Sequence, residues 1–383
     1  MQTVSLKEKD SKDQMPGSGQ YRVMIVDDSA VIRGLMTKWL GEEPSINVVG
    51  TAGNGEMALV CISRYNPEVI ILDIEMPVMD GLTALPKIFE IDPKIKVVMA
   101  STLTKRNAEI SMKALSLGAS DYVSKPENNR EVASSQSFQE ELISKVISLA
   151  AASRLRNGGK VYKGSEGSLI DKQFTPVINA DKKIDTRKFS SSTTSVVAIG
   201  SSTGGPQALL VVLKDLGKVN VPIVITQHMP ATFTGILAKH ISQDANIDCK
   251  EAENGDILEG GKIYLAPGGY HMTIVERAGK KIVALNQEPP ENFCRPSVEP
   301  MFRSLIDIYG SEVFAVMLTG MGHDGLDASR KLVEAGGKLI AQDEETSVVW
   351  GMPGAVSRAG LCSGIYPLNQ IGSKIKEKLV GRT

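Results

Sequence analysis

Three carboxylates, a hydroxyl and an amine stand at the ends of short apolar runs in the first third of the chain. Asp27 and Asp28 follow YRVMIV, Asp73 closes EVIILD, Ser101 closes KVVMAS, and Lys125 closes DYVSK. Carboxylates crowded onto one edge repel unless a cation lies among them. A hard divalent ion that takes carboxylate and carbonyl oxygen is the simplest remedy, and Mg²⁺ suits that ligand set. Such a site would bring a phosphoryl group to Asp73, with Mg²⁺ and Lys125 balancing its charge and Ser101 donating a hydrogen bond. One aspartate at a strand end is explained as well by helix capping. Five such positions together are not.

A second constellation lies beyond residue 195. Gly200-Ser201-Ser202-Thr203-Gly204-Gly205 follows an apolar run and precedes a helical segment. Glycines there permit a tight turn whose backbone N–H groups face a ligand. Two readings compete. One is an anion or nucleotide cradle, although G-x-G-x-x-G and the Walker lysine are both missing. The other is the G-x-S-x-G nucleophile elbow, which exposes Ser202 Oγ beside amide donors. A serine nucleophile needs a base and an acid to orient it. Of the four histidines, His228 follows the run VPIVIT and shares the carboxyl edge with Ser202. His240 falls on a helical segment and His271 in a turn, both as surface or packing residues. His323 is a rival base because it too follows a strand, in GMGHDG. Asp324 beside it could serve as the orienting acid or cap its own helix.

These residues need parallel sheets to hold them. Apolar runs at 21–26, 46–52, 68–73, 96–101 and 121–125 alternate with helical segments, among them 29–40, 107–117 and 138–156. That alternation predicts an α/β unit with a five-stranded parallel sheet covered on both faces. A second alternating series starts at 195–200 and continues through 221–226, 262–268, 313–320 and 338–343, with a hairpin within 272–286. It predicts a doubly wound α/β unit with some antiparallel additions. Expected boundaries are a disordered tail at 1–20, a first domain at 21–156, a linker at 157–194 and a second domain at 195–383. Sheets of this kind bind ligands outside the carboxyl ends of their strands, the edge on which both constellations fall.

Charge and composition exclude several classes. The region 195–383 carries 18 basic and 20 acidic residues, and no helix-turn-helix or zinc-finger spacing occurs, so a nucleic-acid partner is not expected. No apolar run is long enough to span a bilayer, and the charged first residues lack a secretory h-region. The four cysteines, widely spaced, read as reduced thiols of a cytoplasmic protein.

Residues 21–125 resemble the response-regulator receiver family. The likeness rests on Asp27-Asp28, Asp73 with Met76-Pro77 and Asp80-Gly81, Ser101, Tyr122 and Lys125-Pro126. It implies that Asp73 is the phosphoacceptor and Asp28 a direct Mg²⁺ ligand. Asp27 would act through water and Glu75 through its backbone carbonyl. Ser101 and Tyr122 match the switch hydroxyl and aromatic, beside Lys125.

Over its whole length the chain resembles the chemotaxis protein-glutamate methylesterases. The receiver pattern, GSSTGG, QHMP, CRPSVE and LTGMGHDG carry the likeness. It implies Ser202 as nucleophile, His228 as base and Asp324 as orienting acid, with Thr203 and Met321 in the oxyanion loops. His323 falls where the family varies. Ser201 departs from the usual alanine and leaves a second hydroxyl beside the nucleophile. The implied activities are hydrolysis of glutamyl methyl esters on chemoreceptor helices and deamidation of receptor glutamines, with no cofactor for the hydrolysis. A histidine kinase would be the phosphodonor, and the receiver would cover the triad until phosphorylated.

Overall fold

The computed structural model describes residues 19–102, 104–126, 135–162 and 184–380. Residues 1–18 of the expected tail and the middle of the expected linker lie outside the described residues, while Gly19 and Gln20 of the tail accept from Arg154. The first unit runs β1 (Tyr21–Val26), α1 (Ala30–Gly41), β2 (Ile46–Ala52), α2 (Gly55–Tyr65), β3 (Val69–Asp73), α3 (Gly81–Ile91), β4 (Lys96–Thr102), α4 (Lys105–Ser116), β5 (Asp121–Lys125) and α5 (Gln136–Arg156). Its strands form a five-stranded parallel sheet ordered β2-β1-β3-β4-β5. All five residues of β3 are buried, as a strand covered by helices on both faces requires. Each of these five helices starts on a side-chain cap: Ser29, Asn54, Asp80, Thr104 and Ser135 accept from backbone N–H groups of the first turn.

The second unit contains β6 (Val196–Ser201), α6 (Gly205–Leu216), β7 (Ile223–Gln227), α7 (Ala231–Ala245), β8 (Asp248–Glu251), β9 (Lys262–Leu265), β10 (His271–Arg277) and β11 (Lys280–Asn286). It continues through α8 (Val298–Tyr309), β12 (Val313–Met317), α9 (Leu326–Glu334), β13 (Lys338–Gln342), α10 (Met352–Arg358), β14 (Gly364–Tyr366) and α11 (Leu368–Val380). Seven parallel strands are ordered β14-β13-β12-β6-β7-β9-β8, and β10 pairs with β11 as the antiparallel addition. The fold class therefore agrees with the sequence expectation. The edge strands β8 and β14 were not anticipated. The first is four residues with three charges and the second only three residues, too short for either to show a hydrophobic period.

Helices α6 and α9 differ from those of the first unit. They begin at Gly204 (φ 75°) and Gly325 (φ 85°), with no side-chain cap. These are the glycine-rich loops singled out above, and β6 lies between β7 and β12, so both loops leave one edge of the sheet.

The two units touch. One apolar cluster includes Met112 and Tyr122 of the first and Phe233 and Ile236 of the second. Tyr122 stacks on Phe233 with ring centroids 4.3 Å apart and planes 7° from parallel. Gln207 Nε2 donates to Leu115 O (3.2 Å) and Ala119 O (3.0 Å) at the end of α4. Thr203 Oγ1 donates to Asp121 Oδ2 at 2.6 Å, and Lys145 pairs with Asp121 at 3.4 Å. Both described ends of the 157–194 stretch also pack: Tyr162 N donates to the Tyr21 hydroxyl, and Arg187 N to Cys362 O.

Candidate active site and phosphorylation site

In the first unit the strand ends deliver their acids to one point. Lys125 Nζ lies 2.6 Å from Asp73 Oδ1 and 3.0 Å from Asp27 Oδ2, all three side chains buried. Oxygens of Asp27, Asp28 and Asp73 lie within 4.8 Å of one another. Burial pushes the Asp73 carboxyl up to about 6; Lys125 opposes that shift and Asp27 adds to it. One lysine thus leaves negative charge uncompensated. A cluster of hard oxygen donors with surplus charge fits Mg²⁺. Asp28 and Glu75 line an open cleft with Met76, Asp80 and Arg106, which gives that cluster a solvent side. Ser101 is buried, its Oγ 3.0 Å from Ser111 Oγ. Tyr122 is turned into the contact with Phe233.

In the second unit Ser202 sits at the end of β6 in a crowded bend. Its N–H donates to Thr319 O (3.0 Å), and its carbonyl accepts from Gly205 N (2.7 Å) and Gln227 Nε2 (3.0 Å). A Cβ at Gly205 would come 1.9 Å from Gln227 Oε1 and 2.9 Å from Ser201 Cβ, so a side chain there would displace the glutamine that braces the turn. Gly320 is pressed against Ser202, and a Cβ on it would lie 2.9 Å from Ser202 Cβ. Ser201 is fully buried and its hydroxyl donates to Gln227 Oε1 at 2.7 Å. That second hydroxyl is therefore committed to holding the turn.

His228 Nε2 lies 2.7 Å from Asp324 Oδ2. The carboxylate also accepts from Val298 N (2.6 Å), Ser297 Oγ (2.7 Å) and Asn292 Nδ2 (2.9 Å). Burial alone would raise the pKa of Asp324, but these donors, with His228 foremost, push it down to about 2. Burial would lower that of His228; facing Cys294 and Asp324 it is instead raised. Asp324 does not cap its own helix. It accepts from the first N–H of α8, while Glu299 of α8 accepts from Asp327 N and Ala328 N at the start of α9, both at 2.9 Å. The two helices cap each other, and the exchange fixes the acid against the histidine.

The sheet edge brings Ser202, His228 and Asp324 together, but not in one hydrogen-bonded chain. Among the described residues Ser202 Oγ makes no hydrogen bond, and His228 Nδ1 faces Cys294 Sγ at 3.3 Å. Thr203 points its hydroxyl at Asp121. Met321 packs against the apolar cluster containing Phe138 and Ile143 of the first unit. His323 is exposed. His271 is buried: its Nδ1 accepts from Ser297 N (3.2 Å), which leaves the proton on Nε2 to donate to Pro289 O (3.1 Å). It supports Ser297, and through it Asp324. Neither Asn292, Ser297 nor Cys294 was read as a site residue. Cys294 and Ser297 had one sequence signal, the CRPSVE block, which gave no indication of its contacts, and Asn292 lies just outside it.

The sequence pattern of the CheB methylesterase family matches residues 197–375, and that of the response regulator receiver domain matches residues 23–135. A protein-glutamate methylesterase/protein-glutamine glutaminase 1 of Rhodospirillum rubrum is 50% identical over 369 residues, covering 93% of this chain and 95% of the relative. This chain belongs to that family. A relative of the same description from Azospirillum brasilense is 49% identical over 369 residues, covering 94% and 93% of the two chains. The crystallised methylesterase catalytic domain of Thermotoga maritima CheB is 38% identical, covering 49% of this chain and 99% of its own, with a TM-score of 0.47. Both family resemblances read from the motifs are thus borne out: a receiver and a methylesterase unit occur in one chain. Among the described residues no helix is long and apolar enough to cross a membrane.

Proposed function

We propose that the chain removes methyl esters from glutamate side chains of chemoreceptors and deamidates receptor glutamines. In this reading receiver 21–156 gates a catalytic domain at 195–383, to which the linker 157–194 joins it. The observation that carries it is the His228–Asp324 pair, its carboxylate held by three further donors, beside a crowded serine turn whose Thr203 is tied to the receiver. Ser202 Oγ attacks the ester carbonyl while its proton passes to His228. Asp324 holds the imidazole and stabilises its charged form. Amides near Thr203 and Met321 hold the oxyanion. The proton on His228 goes to the leaving methanol, or to ammonia from glutamine, and the acyl group stays on Ser202. Water, deprotonated by the same base, then releases glutamate and restores the serine.

Control is assigned to the other sheet edge. Asp73 is the phosphoacceptor, with a histidine kinase of the chemotaxis system as donor. Asp27, Asp28 and Asp73 with the Glu75 carbonyl would hold Mg²⁺, which neutralises phosphoryl charge when bound. Lys125 leaves its ion pair with Asp73 to meet the new phosphoryl oxygens, and Ser101 turns its hydroxyl to them. Tyr122 follows, loosening the stack on Phe233 and the neighbouring Asp121–Thr203 bond. Undocking opens the serine edge to the receptor. Methanol release from methylated receptor, measured with and without a small-molecule phosphodonor and Mg²⁺, tests the reading. Release stimulated by the phosphodonor is expected, and absence of methanol under both conditions would refute it.

A further inference from the structure

The turn between β11 and α8 holds a residue that neither catalysis nor packing explains. Glu291 and Cys294 exchange two backbone hydrogen bonds, at 3.1 and 2.9 Å, around Asn292 and Phe293. Both central residues have positive φ, 49° and 63°. Two successive left-handed residues make a type I′-like turn, which favours Asn-Gly. Asparagine fits the first place. Phenylalanine in the second is strained where glycine or asparagine would not be. Nor is the ring buried in return, since Phe293 is 82% exposed, more than any other exposed large hydrophobic residue among those described. The backbone strain is therefore offset by no burial of the ring.

The same turn is tightly registered to the catalytic groups. Asn292 donates to Asp324, Cys294 touches His228, and Arg303 of α8 holds Glu291 through two bonds of 2.6 and 2.8 Å. Phe293 therefore stands at a fixed offset from the histidine. The next loop adds a second aromatic: Gly269 N donates to Arg295 O, and Tyr270 is 40% exposed. A glutamyl group attacked by Ser202 beside His228 would bring the surface of its carrier protein close to this turn.

We propose that Phe293 is a substrate-reading residue, its ring seating on an apolar side chain that neighbours the modified glutamate of the protein substrate. The inference rests on the function proposed above and names how that site selects its substrate. Small esters, which have no such neighbour, would not feel it. Asparagine at 293 keeps the left-handed backbone and removes the ring, so misfolding is not the expected outcome.

The test uses the full-length chain with phosphodonor and compares the wild type with Phe293→Asn and Phe293→Tyr. Three readouts are taken: methanol release from methylated receptor, labelling of Ser202 by a fluorophosphonate, and thermal stability. For Phe293→Asn the KM for receptor should rise about tenfold, as loss of an aromatic contact residue does. Its kcat and Ser202 labelling rate should hold within about twofold, its Tm should not fall, and Phe293→Tyr should restore KM. Unchanged receptor KM in Phe293→Asn would overturn the proposal. So would equal loss of labelling and demethylation, which marks a prop for the triad, or dissociation of a dimer with demethylation intact, which marks a self-association face. A wild type that is labelled but releases no methanol would sink the parent function instead, and this contact with it.

Discussion

Both sites lie at carboxyl edges of parallel sheets, yet their electrostatics are opposite. In the receiver, burial leaves Asp73 with a carboxyl raised to about 6, one lysine among three acids. In the esterase unit Asp324 is as buried but has four donors, and its carboxyl is pushed down to about 2. In the first site a single lysine faces three acids, so the cluster keeps a net negative charge. The second is finished in its charges but not in its proton path, since His228 faces Cys294 and Ser202 Oγ is unpaired among the described residues. In the proposed reading, such a net negative cluster suits a switch that takes a cation and a phosphoryl group. A preassembled acid–base pair under a docked domain suits a reaction held in check.

The largest test of that contrast is Ser202→Ala. Removing the proposed nucleophile should lower methanol release by about 10³-fold or more, with receiver phosphorylation untouched. Near-normal demethylation, followed as methanol by gas chromatography, would remove Ser202 from the mechanism. The mirror substitution, Asp73→Asn, should do the reverse. Basal release stays, while stimulation by phosphodonor, expected at about tenfold or more, disappears. Stimulation that survives in Asp73→Asn would separate the two sites.

Next in size is a difference in how the two acids respond to pH. Asp73 is raised in the folded state, so folding favours its neutral form and ionisation works against stability. That penalty is absent at pH values below about 4, grows as pH rises, and is complete above about 6. Asp324 is depressed, so its contribution is present above about 4 and lost as pH falls through about 2. Without Mg²⁺, Asp73→Asn should therefore be more stable than wild type by ~1–3 kcal/mol at pH 7 and little different at pH 4. Mg²⁺ should close the gap at pH 7, because it binds only the wild-type folded cluster tightly. Urea melts at the two pH values, with and without Mg²⁺, measure this. A gap of the same size at pH 4 would mean that charge at Asp73 is not its cause.

The two sites also differ in how much of them could be read before folding. Asp27, Asp73 and Lys125 were legible because each closes an apolar strand, and in a parallel sheet strand ends share an edge. Ser202, His228 and Asp324 could be assigned to an edge by the same argument, but not to contacts. The atoms that decide Asp324 come from Asn292, Ser297 and Val298, in a non-periodic loop after a hairpin and the helix start that follows. Cross-capping between α8 and α9 is equally invisible, since in sequence Asp324 looks like the cap of its own helix. Strand periodicity shows which edge a residue occupies. It does not show which neighbour's N–H will meet it, and β8 and β14 were missed because they are too short to have a period at all.

The smallest expected effect lies between the two sites, in the ring pair that joins them. Tyr122 and Phe233 stack at 4.3 Å, and an aromatic pair contributes ~0.5–1.5 kcal/mol beyond its buried area. Phe233→Leu keeps an apolar side chain but loses the stack, so the docked form should weaken by ~1 kcal/mol, about fivefold in population. Since the proposed activity belongs to the undocked form, basal methanol release without phosphodonor should rise about fivefold. The phosphodonor-stimulated rate should change little, because that population is already undocked. The direction of the basal change is the decisive readout. A fall in basal rate with stimulation intact would mean that the docked receiver completes the esterase site, and that the Asp121–Thr203 bond beside the stack supports catalysis instead of restraining it.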